Sequence, residues 1–355
     1  MKKTARRALT AAIGLSGAAG AALAAAGWAL SAPRWGGPIR PNFDGERFRS
    51  IEPLNHGFKE IARWVAHREP GPWRDFTDVP PGPPPPQRVA DGDLRVTFVN
   101  HSTVLVQMDG VNLLTDPVWS ERVSPVSWAG PRRHRPPGLR LEDLPPIDAV
   151  LVSHNHYDHM DVDTLRRLSR GGTPVVFVGL GNARYLERRG VPSARDLDWW
   201  ESAPIAPGVT VTAVPARHFS SRSLFDRDRT LWCGFVLEGP SGAAYFAGDT
   251  GWGSHFAAIG RRFPRLRLAL LPIGAYRPRW FMAPAHIDPE EAVRAHEVLG
   301  ASTSVAIHFG TFAQADDGEL EPIEDLRAAL ARRTEPRPRF LVLENGGSAE
   351  IPRVD

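Results

Sequence analysis

Between Ala149 and His159 the chain reads A-V-L-V-S-H-N-H-Y-D-H, an apolar stretch suited to a short buried strand running directly into a dense group of metal-ligand side chains. Imidazole and carboxylate are preferred ligands of divalent zinc, and a hydrolytic site must leave one position for water. His154 and His156 stand two apart in a loop that leaves a strand, so both can point into one cleft at a sheet edge. Asp158 and His159 follow at once and can reach a second position. Metal ions roughly 3.5–4 Å apart can clamp the attacking and leaving oxygens of a displacement. The spacing H-x-H-x-D-H therefore asks for a rigid sheet edge that ends in a metal cleft.

The flanking pattern supplies such a sheet. Leu94–Val99, Thr103–Met108 and Val111–Leu114 are short β-branched runs, with the turn Asp109-Gly110 between the second and third. Beyond the histidine run, the pattern predicts a helix over Asp163–Leu168, a strand over Val175–Val178 and a helix over Asn182–Arg189 stopped by Gly190. Strands recur at Val209–Val214, Trp232–Leu237, Ala244–Ala247, Leu266–Leu271, Val305–Ile307 and Phe340–Leu343. Helices are expected at His255–Arg262, at Glu290–Leu299 between Pro289 and Gly300, and at Ile323–Arg332. Each half thus offers a group of strands followed by strand–helix alternation, which predicts two mixed sheets sharing one core with helices on their outer faces. His218, Asp249 and His308 all fall at predicted strand ends. Singly each is an ordinary loop residue; together with the dense run they form one constellation. Asp116, at another strand end, is a candidate to fix a ligand imidazole or else part of an Asp-Pro turn.

The N-terminus carries Lys2, Lys3, Arg6 and Arg7 and then no charge from Ala8 to Leu30, with small residues near Ala29-Leu30-Ser31-Ala32. Residues 1–33 are therefore expected to be a cleaved export signal or an uncleaved anchor, placing the catalytic domain in the periplasm or on the outer face of the membrane. Residues 34–93 are rich in Pro and Trp and include the extended run Pro80–Pro86, which reads as a stiff connector with one short helix over Phe58–Val65. The catalytic domain is expected over 94–355. Lys+Arg (43) barely exceed Asp+Glu (40) and no basic run is present, so nucleic acid is not an expected partner. Cys233, in the apolar run Leu231–Leu237, reads as a small buried hydrophobe rather than a nucleophile. The loop Arg277–Met282 sets two guanidiniums beside Trp280, Phe281 and Met282, a combination suited to phosphate and acyl chains or, for the aromatics, to plugging the core.

Several longer stretches carry a family resemblance: D-P-V-W-S-E-R-V-S-P from Asp116, L-P-P-I-D-A-V-L-V-S-H-N-H-Y-D-H from Leu144, L-D-W-W from Leu197, A-G-D-T-G from Ala247, P-I-G-A-Y-R-P-R-W-F-M from Pro272, H-I-D-P-E-E-A from His286 and A-I-H-F-G-T-F from Ala306. They resemble the metallo-β-lactamase superfamily, and within it the branch of N-acyl-phosphatidylethanolamine-hydrolysing phospholipases D and their bacterial relatives. The resemblance runs over roughly residues 94 to 345. It implies an αββα sandwich holding two zinc ions. His154, His156 and His218 would hold one, Asp158, His159 and His308 the other, and Asp249 would bridge them. It also implies that Tyr157 and His286 contact a substrate phosphate. Ser127-Trp128 stands where the mammalian enzyme has Gln-Tyr, a departure that bears on lipid preference.

The expected chemistry is hydrolysis of a phosphodiester in a phospholipid, with a membrane surface as partner and zinc lowering the pKa of water from 15.7 to about 7. His286 is expected to donate a hydrogen bond or proton to the phosphate, or alternatively to cap the helix that follows. Arg279 is a further candidate for the substrate phosphate. Two other functions fit the same residues: a zinc-dependent hydrolase of a lactone, ester or amide, and a non-catalytic envelope binding protein. A fold does not fix a reaction.

Overall fold

The short apolar runs are realised as strands whose two faces belong to different cores. The computed structural model describes residues 27, 30–54, 57–172 and 174–353. The expected export segment thus lies almost wholly outside the described residues. Among those described, no helix is long and apolar enough to cross a membrane.

After α1 (Phe58–Ala66) the chain forms β1 (Leu94–Asn100), β2 (Thr103–Met108), β3 (Val111–Thr115), β4 (Ala149–Val152), α2 (Val162–Gly171), β5 (Val175–Gly179), α3 (Asn182–Glu187) and β6 (Ala194–Leu197). It continues with β7 (Ser202–Ala206), β8 (Val209–Val214), β9 (Gly234–Gly239), β10 (Gly242–Phe246), α4 (His255–Arg262), β11 (Leu266–Pro272), α5 (Arg279–Met282), α6 (Pro289–Leu299), β12 (Thr303–Ile307), α7 (Glu321–Ala331), β13 (Phe340–Leu341) and β14 (Ser348–Glu350). One seven-stranded sheet runs β14-β1-β2-β3-β4-β5-β6 and the other β13-β12-β11-β10-β9-β8-β7. In each, an antiparallel meander (β1 to β3, β7 to β10) passes into parallel strands (β3 to β6, β10 to β13), reached through a long loop between β3 and β4 and through helical crossovers elsewhere.

Period-two alternation decides which face goes where. In the first sheet Val104, Val106, Leu113 and Leu151 join Val211, Phe235 and Leu270 of the second sheet in the central core. Their neighbours Leu105, Leu114, Val150 and Val152 point the other way, beneath Leu165, Tyr185 and Leu186 from the α2 and α3 region. Phe256 and Ile259 of α4, Val293 and Leu299 of α6 and Leu326 of α7 cover the second sheet. This is the αββα sandwich. The helix α6 starts on a capping box between Asp288 and Glu291, has Pro289 in its first turn and ends on Gly300 at φ 65°, as its sequence punctuation predicts.

The stretch before the first sheet strand is laid along this body. Phe43 and Phe48 are buried with Leu180, Leu231 and Trp232. The Arg68 guanidinium donates to Asp316 at 2.8 Å, and that of Arg74 pairs with the buried carboxylate of Glu319 at 2.7 Å. The ring of Trp64 stacks on Phe281 at 5.0 Å, so α1 forms a wall against α5. Residues 34–93 read in sequence as a connector; in the structure much of the segment packs on the sandwich.

Candidate metal centre

The carboxyl ends of the parallel strands meet on one edge of the sandwich, where α/β sheets commonly hold their ligands. The loop after β4 carries His154, His156, Asp158 and His159. From the other sheet come His218 after β8, Asp249 after β10 and His308 after β12. Gly248 fixes Asp249 in place. Its φ is +59°, and a Cβ there would lie 2.5 Å from that of Ser153. Backbone of that kind, pressed against the other sheet's loop, admits only glycine without displacement.

Ligand atoms converge in two adjoining groups. His154, His156 and His218 form one, with His156 Nδ1 lying 2.8 Å from His154 Nε2 and 3.3 Å from His218 Nε2. Asp158, His159 and His308 form the other, joined by His101. Asp249 stands between them: its Oδ2 is 3.2 Å from both His159 Nε2 and His308 Nε2, 3.8 Å from His218 Nε2 and 4.0 Å from His154 Nε2.

The outer nitrogens of three of these rings settle which nitrogens face inward. A carboxylate or carbonyl only accepts, so the ring atom facing it carries the proton. His159 Nδ1 donates to Asp116 Oδ2 at 2.5 Å, and His218 Nδ1 donates to the Ala285 carbonyl at 3.0 Å. Ser153 Oγ donates to Asp116 Oδ2 at 2.6 Å and so accepts from His154 Nδ1 at 2.9 Å. Each ring therefore presents its Nε2 inward as the atom that can ligate, and these partners fix the ring orientation as metal-ligating histidines require. Asp116 is the common anchor, and its Oδ1 also accepts from the Ser153 amide. His159 Nε2, both nitrogens of His308 and Asp249 Oδ1 are buried without a hydrogen-bond partner among the described residues. Buried polar atoms rarely go unpaired. Imidazole nitrogens and carboxylate oxygens converging in this way form the donor set of a cation.

The electrostatics agree. Burial pushes His154 well below the ordinary imidazole range, His156 to about 4 and His218 to about 3, leaving them neutral. At the second group burial is outweighed by carboxylates: Asp249, Asp158 and Asp116 hold His159 well above the usual range, and Asp249 with Asp158 takes His308 up to about 9. In the metal-free protein these carboxylates draw protons onto two imidazoles. Metal binding displaces such protons.

His156, Asp158, Asp249 and His308 line a cleft of about 480 Å³ together with apolar side chains, Ile61 and Trp64 from α1, Phe281 and Met282 from α5, and Leu224, which is 95% exposed. His286 lines it. Its Nδ1 is buried, 3.8 Å from Asp249 Oδ2 and without a hydrogen-bond partner among the described residues. Burial, aided by His218, holds this ring down to about 3, which favours the hydrogen-bond donor among the two roles the sequence offers. Nor does His286 cap α6, a task performed by Asp288. Two expected phosphate contacts are not brought to the cleft. The Tyr157 hydroxyl donates to the Arg222 carbonyl at 3.0 Å, and the ring lines a neighbouring cavity with Ser120 and Pro125. Arg279 donates to the His286 carbonyl at 2.8 Å and to Glu291 Oε2 at 2.7 Å, so it holds the His286 segment in place. Arg277 is taken by Asp325 and Glu321. The guanidinium at the cleft is that of Arg227, 4.3 Å over the Phe219 ring, which sequence reasoning did not single out. Cys233 is buried as expected, and burial pushes its thiol well above the usual range.

Residues 111–309 match the beta-lactamase superfamily domain. The chain belongs to the metallo-β-lactamase superfamily. It is 38% identical over 269 residues to N-acyl-phosphatidylethanolamine-hydrolyzing phospholipase D 1 of Caenorhabditis elegans, covering 73% of this chain and 76% of that one. It is 35% identical over 236 residues to the mitochondrial N-acyl-phosphatidylethanolamine-hydrolyzing phospholipase D of Saccharomyces cerevisiae, covering 65% and 50%. Among solved structures, the metallo hydrolase Igni18 of Ignicoccus hospitalis shares the fold at a TM-score of 0.55 and 24% identity, over 73% of this chain and 99% of that one. The protein is a metal-dependent hydrolase of this superfamily.

The Asp116 anchor gives a direct test of how this superfamily site is held. Asp116→Ala strips acceptors from the Ser153 amide, the Ser153 hydroxyl and His159 Nδ1 at once. Removing one partner of a buried ionic pair costs about 3–5 kcal/mol, and loss of a group that orients a metal ligand costs about 10–100-fold in affinity. Urea unfolding of the metal-free protein and zinc competition should show both losses. Unchanged values would mean that the anchor does not hold the ligands.

Proposed function

We propose that this protein is a dinuclear zinc phosphodiesterase that cleaves a phospholipid in the manner of a phospholipase D, with N-acyl-phosphatidylethanolamine or a close relative as substrate. The observation that carries the reading is that one cleft is lined both by converging histidines and aspartates and by the apolar side chains of Ile61, Trp64, Phe281, Met282 and Leu224. Such a cleft matches a substrate with both a charged headgroup and hydrocarbon. The named activity of the worm and yeast relatives supports the same substrate class.

In this reading His154, His156 and His218 hold one zinc, Asp158, His159 and His308 hold the other, and Asp249 serves both. Zinc bound there supplies Lewis acidity, bringing the pKa of water to about 7 and offsetting charge on phosphate oxygens. The chain's own groups do the rest. Asp116, Ser153 and the Ala285 carbonyl keep the ligand imidazoles oriented. The neutral His286 ring offers an N–H to a phosphate oxygen, Arg227 adds positive charge at the wall, and the α1 and α5 side chains exclude water from the acyl portion.

Incubation with N-acyl-phosphatidylethanolamine in isotope-labelled water is the test. The expected products are the N-acylethanolamine and phosphatidic acid carrying the label. Free fatty acid as sole product, with label in its carboxylate, would sink the phosphodiesterase reading in favour of carbonyl hydrolysis.

A further inference from the structure

His101, in the tight connection between β1 and β2, is not among the ligands assigned above, yet it touches two of them. Its Nε2 lies 3.0 Å from Asp158 Oδ2, its carbonyl accepts from the His308 amide at 2.7 Å, and its ring packs on that of His308 at 4.0 Å between centroids. The residue is buried, and its backbone sits at φ +47°, a left-handed conformation uncommon outside glycine. Such backbone persists only where its surroundings hold it. Here the His101 amide donates to Thr311 Oγ1 at 3.0 Å, fastening the turn to the loop that follows His308.

Protonation follows from the partners. Nε2 faces a carboxylate, which only accepts. Nδ1 is enclosed with no hydrogen-bond partner among the described residues. The proton of a neutral ring therefore sits on Nε2 and points at Asp158. Asp158 Oδ2 also lies 3.0 Å from His159 Nε2, so the oxygen that receives this N–H is the one facing the second ligand group. The same oxygen is 3.5 Å from His308 Nε2, so the His101 N–H acts on the atom that the second group shares.

We infer that His101 is a positioning residue for the second metal position, setting the rotamer of Asp158 through its Nε2–H and the loop of His308 through its carbonyl. This rests on the assignment of Asp158, His159 and His308 as a metal-holding group. Partners of this kind, which orient a ligand without binding the metal, are worth about 10–100-fold in affinity. His101→Phe keeps the ring's bulk against His308 and removes the donor. His101→Gln restores an amide N–H near the position of Nε2.

The experiment measures zinc content and zinc affinity at buffered free zinc for the wild-type protein and both variants, with thermal unfolding of the metal-free forms as a check on folding. Wild type should bind two zincs. His101→Phe should fill its first position normally and its second about 10–100-fold more weakly, and His101→Gln should recover most of that loss. Cobalt loaded into wild type and His101→Gln should give the same ligand-field spectrum, because His101 is not a ligand. Equal second-site affinity in wild type and His101→Phe overturns the inference, as does failure of His101→Gln to recover a folded protein's affinity. A changed cobalt spectrum overturns it by making His101 a ligand. A wild type that takes up one metal removes the two-site assignment itself, and this inference with it.

Discussion

Asp249→Ala is expected to reduce the metal content to one ion or none per chain and to lower turnover by roughly 10³-fold or more. Asp249 is the carboxylate whose oxygen lies within 4.0 Å of Nε2 in His154, His159, His218 and His308 alike, so both ligand groups lose a donor together. The side chain is buried and, against the burial that would neutralise it, His159 and His308 hold its carboxyl well below the usual range. It is thus an anion available to offset two cations at any physiological pH. A metal contributes several kcal/mol of charge stabilisation in such a transition state, and about 1.4 kcal/mol corresponds to tenfold in rate, which sets the expected loss. Asp249→Asn keeps the shape and one neutral oxygen, and should fail nearly as badly because it removes the negative charge that faces both groups. Elemental analysis alongside a turnover assay decides the matter. A variant that retains two metals and a tenth or more of wild-type turnover would remove Asp249 from the bridging position.

The candidate ligands that could be read from sequence share one property: their side chains announce their chemistry and their strands announce their placement. H-x-H-x-D-H after an apolar strand and His218, Asp249 and His308 at strand ends all met at one edge. His101 escaped notice because it is a lone histidine between two strands, far from the dense run, and its importance lies in a hydrogen bond that only the closed sandwich creates. Tyr157 and Arg279 show the converse. Their residue types suit phosphate, but side-chain direction and local partners (the Arg222 carbonyl for one, Glu291 and the His286 carbonyl for the other) are set by tertiary packing. The strands absent from the sequence reading, β6, β7 and β14, are all sheet edges. Edge strands need no continuous apolar run: β7 even contains Pro204, which an edge tolerates and a central strand does not. The helix α1 was legible as a helix, whereas its place in the cleft wall depends on Trp64 meeting Phe281, far away in sequence.

His286→Ala should lower turnover on the phospholipid by about 10²–10³-fold, the usual cost of one preorganised donor to a developing oxyanion, while zinc content stays at the wild-type value. Zinc content is the discriminating readout, because the His286 ligand atom clusters with those of His218 and Asp249, so a role as ligand must be told apart from a role toward substrate. Its Nδ1 is 3.8 Å from Asp249 Oδ2, and its ring packs against His218 at 5.1 Å and His308 at 5.6 Å. The segment that carries it is clamped by Arg279, so the ring is presented to the cleft at little reorganisation cost. Burial keeps it neutral, which makes it a hydrogen-bond donor throughout the neutral range, with no charge of its own to lose as the pH rises from 6 to 8. The pH profile of the wild-type enzyme over that interval should therefore carry no inflection that disappears in His286→Ala. Such an inflection would mean that the residue transfers a proton. Loss of zinc in His286→Ala would instead make it a ligand, and an unaffected turnover would remove it from the chemistry. If the variant loses activity on the phosphodiester but not on a short carboxyl ester, the ring is selecting for phosphate. Equal losses on both would mean that it serves whichever oxyanion forms in the cleft, and the preference for phospholipid would then rest on the apolar walls alone.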